Sequence, residues 1–147
     1  MEGVFRPLAI CITALVLSSC GSSPTVEDSP KMTAIPKGAL ALRDSVAYSQ
    51  IDPRWKQDRL GRTNDTMGSD GCLVTATAMA LTNLGFKTNP QDLNKRLTAT
   101  ESYTKNGWLI WDGIRRVTDG RAKATFYDTV DAKTIDQCLV RGDYPLV

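Results

Sequence analysis

Histidine is the most informative absence in this chain of 147 residues, which contains none. That absence excludes His-ligated metal sites and a complete Cys-His or Ser-His catalytic pair within these residues. The four cysteines are Cys11, Cys20, Cys72 and Cys138. They form no Cys-x-x-Cys pair, so the sequence also lacks a zinc knuckle and a thioredoxin motif. No metal and no other cofactor is expected.

The chain also lacks a strong excess of charge of either sign. Its net charge is +2 and no basic stripe is present. This balance argues against nucleic acid as a partner and against electrostatic attraction to an anionic membrane surface. Hydrophobic residues make up 41% and charged residues 23%, which is typical of a soluble globular core. The length allows one domain plus a targeting segment.

The apolar run from Leu8 to Leu17 is too short to cross a bilayer as a stable helix, which takes about 20 apolar residues. With Arg6 ahead of it, the run predicts the core of an export signal over residues 1–20. The segment ends in Leu17-Ser18-Ser19-Cys20-Gly21, which resembles a bacterial lipobox. A plain secretory signal and a short membrane anchor are the alternatives.

The lipobox resemblance implies that Cys20 is lipidated and becomes the first residue of the mature protein, which then attaches to the membrane through its lipid. Gly21 after the cysteine favours the outer membrane of a Gram-negative cell. Residues 21–39 are rich in Ser, Pro and Thr and predict a flexible tether. The folded domain is expected over residues 40–147. Removal of the signal would leave the thiols of Cys72 and Cys138, which could pair in an oxidising compartment.

The domain has the pattern of an α+β fold. We expect short strands over 45–51, 124–127 and 144–147, and a long irregular loop over 58–71. Trp55 is expected to point inward after a turn at Pro53. Helices are predicted from Cys72 to about Leu84, from Asn89-Pro90, over 108–117 and after Asp131. With so few strands, the sheet looks incomplete and the sequence looks cut off inside its domain.

Cys72 stands where a polar, glycine-containing loop becomes a helix of small side chains, in Ser69-Asp70-Gly71-Cys72-Leu73. The first turn of a helix carries unpaired N–H groups and the positive end of the helix dipole, and both favour an anion. A thiolate is the nucleophilic form of cysteine. Cys72 is therefore a candidate nucleophile, and a buried structural cysteine is the alternative.

Several motifs together resemble the peptidase family 39-like cysteine peptidases of the papain-like group. The resemblance covers about residues 46–147. It rests on Tyr48-Ser49-Gln50-Ile51-Asp52, Trp55, Gly71-Cys72, Ala78-Met79, Asn89-Pro90, Trp111 and Arg141-Gly142-Asp143-Tyr144-Pro145-Leu146-Val147.

The resemblance implies a papain-like fold with an N-terminal helical half, a central helix bearing the cysteine and an incomplete C-terminal antiparallel sheet. It implies that Cys72 is the nucleophile and that Gln50 contributes to the oxyanion hole, with a peptide or a peptidoglycan amide as substrate. Trp108 and Trp111 could line the substrate groove, with core packing as the alternative.

The family's histidine would follow the strand that ends this chain at Val147. Without that base, the chain as written is expected to be inactive or nearly so. Two alternatives remain. The first is a non-catalytic envelope lipoprotein that uses the same fold to bind a peptide or a protein, and the second is a small structural lipoprotein.

Overall fold

The computed structural model describes residues 9–14, 45–127 and 131–147. These residues form five helices and one three-stranded antiparallel sheet, so the expected mixture of α and β structure is confirmed. No helix in the described part of the chain is long and apolar enough to cross a membrane. Cys20 and the predicted tether lie outside the described residues. The elements are β1 (Ala9–Ala14), α1 (Met67–Asp70), α2 (Cys72–Asn83), α3 (Pro90–Ala99), α4 (Asp112–Val117), β2 (Ala122–Tyr127), α5 (Ala132–Val140) and β3 (Tyr144–Leu146).

The sheet has the strand order β2-β1-β3, with β1 antiparallel to both neighbours. Ile12 of β1 pairs with Ala124 on one side and with Tyr144 on the other. Ile10, Cys11 and Ile12 are all buried, which suits a β-branched, apolar central strand. This strand lies inside the segment predicted as an export signal. Export stays a prediction, since a segment that pairs in the full chain can still be removed by processing.

The core lies mainly between α2, α3 and α4. Helix α2 is rich in Ala and Thr, and small side chains allow neighbouring elements to approach its backbone closely. Leu73 and Leu84 of this stretch are only partly buried and pack against the edge of the core. The buried residues of α2 are Val74, Thr75, Thr77, Ala78, Ala80 and Leu81. The remaining core includes Trp55, Leu60, Met67, Leu93, Leu97, Leu109, Ile114 and Val117.

Helices α3 and α5 begin where the sequence predicts. The Asn89 side chain accepts a hydrogen bond from the Asp92 N–H at 3.0 Å, and Pro90 occupies the first helical position. Asp131 caps α5 by accepting from the Thr134 N–H at 2.7 Å. Helix α2 ends at Asn83, and Gly85 follows with φ +90°, as expected for a glycine that terminates a helix.

Three local predictions were wrong. Residues 45–51 form no strand, because the Val46 N–H donates to the Asn83 side chain at 2.7 Å and the chain turns at residues 50–57. The loop over 58–71 contains the short helix α1. The helix predicted over 108–117 begins only at Asp112, because Leu109 forms a β-bridge with Tyr103.

Candidate functional site

Cys72 is the first residue of α2, a helix of 12 residues, and its thiol is free and exposed. The first backbone hydrogen bond of α2 joins the Thr75 N–H to the Gly71 carbonyl at 2.9 Å. The N–H groups of Cys72, Leu73 and Val74 precede this bond, and they form the positive end of the helix. The expected placement of the cysteine at a helix start is therefore confirmed.

The junction of α1 and α2 fixes the position of this cysteine. Thr66 and Ser69 form a capping box that starts α1, and the Gly71 N–H donates to the Met67 carbonyl at 3.0 Å. The chain passes so close to Met67 that a Cβ at position 71 would collide with the Met67 backbone. Glycine is therefore required immediately before Cys72.

Cys72 lies in an open cavity of about 330 Å³. The structure brings the two predicted groove residues, Trp108 and Trp111, to the same cavity. The other lining residues are Leu60, Asp65, Asp70, Leu73, Val74, Asn106, Gly107 and Leu109. An accessible thiol and two indole rings therefore share one concave surface, which is the usual form of a ligand site.

The two tryptophans are held differently. Trp108 is 75% exposed, at the end of a tight loop in which the Thr104 N–H donates to the Trp108 carbonyl at 2.8 Å. Gly107 permits this loop with φ +77°. Trp111 is partly buried and meets Phe126 of β2 edge to face, with ring centroids 5.5 Å apart. The Trp108 ring is thus accessible to a ligand. Trp111 lines the cavity and also packs against a residue of the sheet.

Gln50 is near this site but is not among the residues that line the cavity. Its side-chain amide donates to the Gly68 carbonyl at 3.0 Å, four residues before Cys72. Trp55, from the same predicted motif, is buried, and its indole N–H donates to the Ser49 carbonyl at 2.9 Å. Through its bond to Gly68, Gln50 contacts α1, the short helix that comes directly before Gly71 and Cys72.

Two carboxylates, from Asp65 and Asp70, line the cavity together with Cys72, and none of the lining residues is basic. Neither carboxylate was expected at this site from the sequence. The signal that could have indicated them was their position, within seven residues of the cysteine and on its N-terminal side. The cavity is therefore negatively charged.

A larger cavity, of about 570 Å³, opens between the 61–63 loop and the end of α3. Tyr103 lines this cavity and not the one that contains Cys72. Its hydroxyl donates to Asn94 Oδ1 at 2.7 Å, and burial raises the pKa of the phenol above its ordinary value. No thiol of the described residues lines this larger cavity.

The pairing considered for Cys72 and Cys138 is absent from the described structure, since both are free and Cys138 is buried while Cys72 is exposed. The chain was compared with protein-family models, with curated proteins and with solved structures. None of the three comparisons gives a match.

Proposed function

We propose that Cys72 is the nucleophile of a papain-like thiol site that acts on the amide bonds of peptides or of peptidoglycan. The observation that carries this proposal is the exposed thiol at the start of α2, in a cavity it shares with Trp108 and Trp111. The papain-like fold and the family 39-like resemblance are part of the same proposal. They rest on the sequence motifs together with the mixed α/β architecture.

In this proposal the Cys72 thiolate attacks the amide carbonyl carbon. A carbon–sulfur bond forms, and the carbonyl oxygen becomes an oxyanion. The Cys72 N–H, at the positive end of α2, is suited to stabilise that charge, and one such donor typically contributes about 3–4 kcal/mol to lowering the barrier. Gln50 uses one amide hydrogen on Gly68 and has a second available. Its oxyanion role stays a prediction.

Efficient turnover needs a base, and these residues contain no histidine. Asp65 and Asp70 are the only other ionisable residues that line the cavity in the described structure. A carboxylate is a poor base for a thiol because its ordinary pKa is several units lower. Breaking the C–N bond also requires a proton for the leaving amine, and no imidazole supplies it. We therefore expect little cleavage of amides, and acylation of Cys72 only by activated acyl donors such as thioesters, whose leaving group departs without a proton.

The lining of the cavity, as the described residues build it, also fits a second candidate function. A groove with an exposed indole and no imidazole could bind a peptide without cleaving it. In either case, the two carboxylates favour ligands with an amine close to the bound carbonyl, such as a lysine side chain or a free amino terminus. The proposed ligand is thus an amine-bearing peptide, either free or within peptidoglycan.

Lipid attachment at Cys20 would place this site at the cell envelope. We propose this location from the lipobox resemblance alone, since Cys20 lies outside the described residues. Cleavage before Cys20 would also remove β1, so the processed and full chains would differ in their sheets.

The proposal is tested by alkylating the protein with two reagents, iodoacetamide and a lysine-containing peptidyl chloromethyl ketone. We expect the peptide reagent to label Cys72 and the Cys72→Ala variant to lose that label. Trp108→Ala should slow the peptide reagent about tenfold, the size of a binding contribution from one buried indole, and leave the iodoacetamide rate unchanged. Val140→Ala, at an exposed apolar position on α5, is the matched control.

Equal slowing of both reagents by Trp108→Ala would contradict a peptide groove. A thioester substrate then separates the two functions. Stoichiometric acylation of Cys72, with turnover restored by added imidazole, supports the hydrolase. Peptide binding without any acylation of Cys72 supports the non-catalytic alternative.

A further inference from the structure

Two thiols that the proposed function does not use lie in a cluster made by Cys11 of β1, Cys138 of α5 and Asp143. All three residues are buried, and the two sulfurs and a carboxylate oxygen lie within 4.8 Å of one another. We call these three residues the thiol cluster. It is independent of the Cys72 site.

The end of α5 builds one side of the thiol cluster. The Gly142 N–H donates to the Leu139 carbonyl at 3.0 Å, and the Asp143 N–H donates to the Cys138 carbonyl at 2.9 Å. This pair of bonds is a Schellman motif, and Gly142 permits it with φ +78°. The turn folds Asp143 back against Cys138. The central strand β1 brings Cys11 to the same point.

Arg141 determines what kind of chemistry the thiol cluster favours. Its Nε donates to Asp143 Oδ2 at 2.8 Å, and its Nη2 lies 3.4 Å from Cys138 Sγ and 3.0 Å from the Tyr127 hydroxyl. A fixed guanidinium beside two of the three candidate ligands opposes a metal cation. The same guanidinium stabilises an anionic sulfur.

The two cysteines differ in their surroundings. Cys138 Sγ is contacted by the Arg141 guanidinium, whose Nη2 also donates to the Tyr127 hydroxyl. Burial above all, with the neighbouring Cys138 and the Asp143 carboxylate adding to it, raises the pKa of the Cys11 thiol above its ordinary value. Cys11 therefore keeps its proton, whereas Cys138 is the sulfur that the guanidinium contacts. The Arg141 side chain is 49% exposed, so Cys138 lies directly beneath a surface residue.

From this geometry we propose that Cys138 and Cys11 are a hydroperoxide-oxidised thiol pair, which forms a disulfide between α5 and the central strand. In the first step the Cys138 thiolate attacks the O–O bond of the hydroperoxide. A sulfur–oxygen bond forms, the O–O bond breaks, and the leaving oxygen takes a proton to become an alcohol or water. Cys138 is then a sulfenic acid.

In the second step the Cys11 sulfur attacks the Cys138 sulfenic acid. The sulfur–sulfur bond forms, the sulfur–oxygen bond breaks, and the hydroxyl leaves as water with the Cys11 proton. Overall, two thiols lose two electrons and the hydroperoxide gains them. The disulfide ties β1 covalently to α5. The thiol pair exists only in the chain that retains residue 11, which is the chain not cleaved before Cys20.

The test uses the full chain with Cys20→Ser and Cys72→Ser, which leaves Cys11 and Cys138 as its two thiols. The reduced protein is checked for an intact N-terminus by mass, treated with hydrogen peroxide, alkylated and digested without reductant. We expect a linked peptide pair containing Cys11 and Cys138. It should form at least about tenfold faster than in the same chain in denaturant, where the two thiols are no longer held together.

Replacing Cys11 by Ser in this background should stop the reaction at the sulfenic acid, which dimedone then traps on Cys138. Arg141→Ala should slow that trapping several-fold, and Arg115→Ala, on the exposed face of α4, should not. If Arg141→Ala fails to fold by circular dichroism, Arg141→Lys keeps the positive charge and should retain most of the rate.

Three results would overturn the proposal. The first is a folded protein that gives no linked peptide, and the second is linkage that is equally fast in denaturant. The third is stoichiometric uptake of Zn²⁺ that is lost in the Cys138→Ser variant, which would make the thiol cluster a metal site instead.

Discussion

At the scale of the single residue, two threonine hydroxyls on α2 lack a hydrogen-bond partner within the described structure, those of Thr75 and Thr77. A buried hydroxyl without a partner costs about 1–3 kcal/mol, and valine has the same shape without that group. Thr77→Val should therefore stabilise the protein in chemical denaturation. Thr82→Val should destabilise it by about 1 kcal/mol, because the Thr82 hydroxyl lies 2.8 Å from the Ala78 carbonyl. If Thr82→Val were more stable than Thr77→Val, the assignment of the Thr77 hydroxyl as unpaired and of the Thr82 hydroxyl as hydrogen-bonded would be contradicted.

The charge around Cys72 gives a second prediction for single residues. Asp65 and Asp70 line its cavity, and negative charge there opposes formation of the thiolate. We expect Asp65→Asn and Asp70→Asn each to raise the rate of alkylation by iodoacetamide about two- to fivefold, the range of interactions between exposed charges. The increase should shrink at high salt. Asp92→Asn, at the exposed start of α3, is the control and should leave the rate unchanged.

At the scale of the element, the junction of α1 and α2 should matter to both stability and reactivity. Gly71→Ala forces the new Cβ into the Met67 backbone, so we expect a loss of about 1–3 kcal/mol and slower labelling of Cys72 by the peptide reagent. Gly85→Ala is the contrast. Its Cβ would meet nothing, and the φ of +90° alone costs about 1 kcal/mol. In Gly85→Ala the free energy of unfolding should fall, whereas labelling of Cys72 by the peptide reagent should be unchanged.

The elements that the sequence predicts well are those whose signals are local. Asn89-Pro90, Asp131 and Gly71-Cys72 each start a helix because a cap or a tight turn is encoded within a few residues. The strand expected at 45–51 failed for the opposite reason. Its backbone bonds go to the Asn83 side chain, far along the chain, and no local pattern reveals that partner.

In the candidate site, too, the features set by local sequence could be predicted and those set by distant contacts could not. The placement of Cys72 at a helix start follows from the local sequence. From the sequence, Trp108 and Trp111 could line a groove or pack in the core, and in the structure both line the cavity that Cys72 lines. The carboxylates of Asp65 and Asp70 were not expected there. Asp65 precedes α1 and Asp70 ends it, and the place of α1 is set by hydrogen bonds from the Met67 and Gly68 N–H groups to the Asp58 and Lys56 carbonyls.

At the scale of the whole molecule, the sheet joins segments from both ends of the chain. β2 and β3 make no pairing with each other within the described residues, and each is paired through β1. Composition marked residues 9–14 as apolar and suited to an export signal. It could not indicate strand pairing, because a short apolar run fits either role and its partners lie more than a hundred residues away.

This arrangement predicts a specific loss when the N-terminal segment is removed. A chain that begins at residue 20 lacks β1, so the backbone N–H groups of β2 and β3 that bond to it lose their partners. We expect the amides of β2 to lose most of their protection against hydrogen exchange, while those of α2 and α3 retain theirs, since these helices pack mainly on each other. A chain that begins at residue 9 keeps β1 and is the control. Equal protection of β2 in both chains would mean that β1 does not hold the sheet together in solution. The same comparison separates the two forms of the protein, because lipidation at Cys20 would produce the form without β1 and without Cys11.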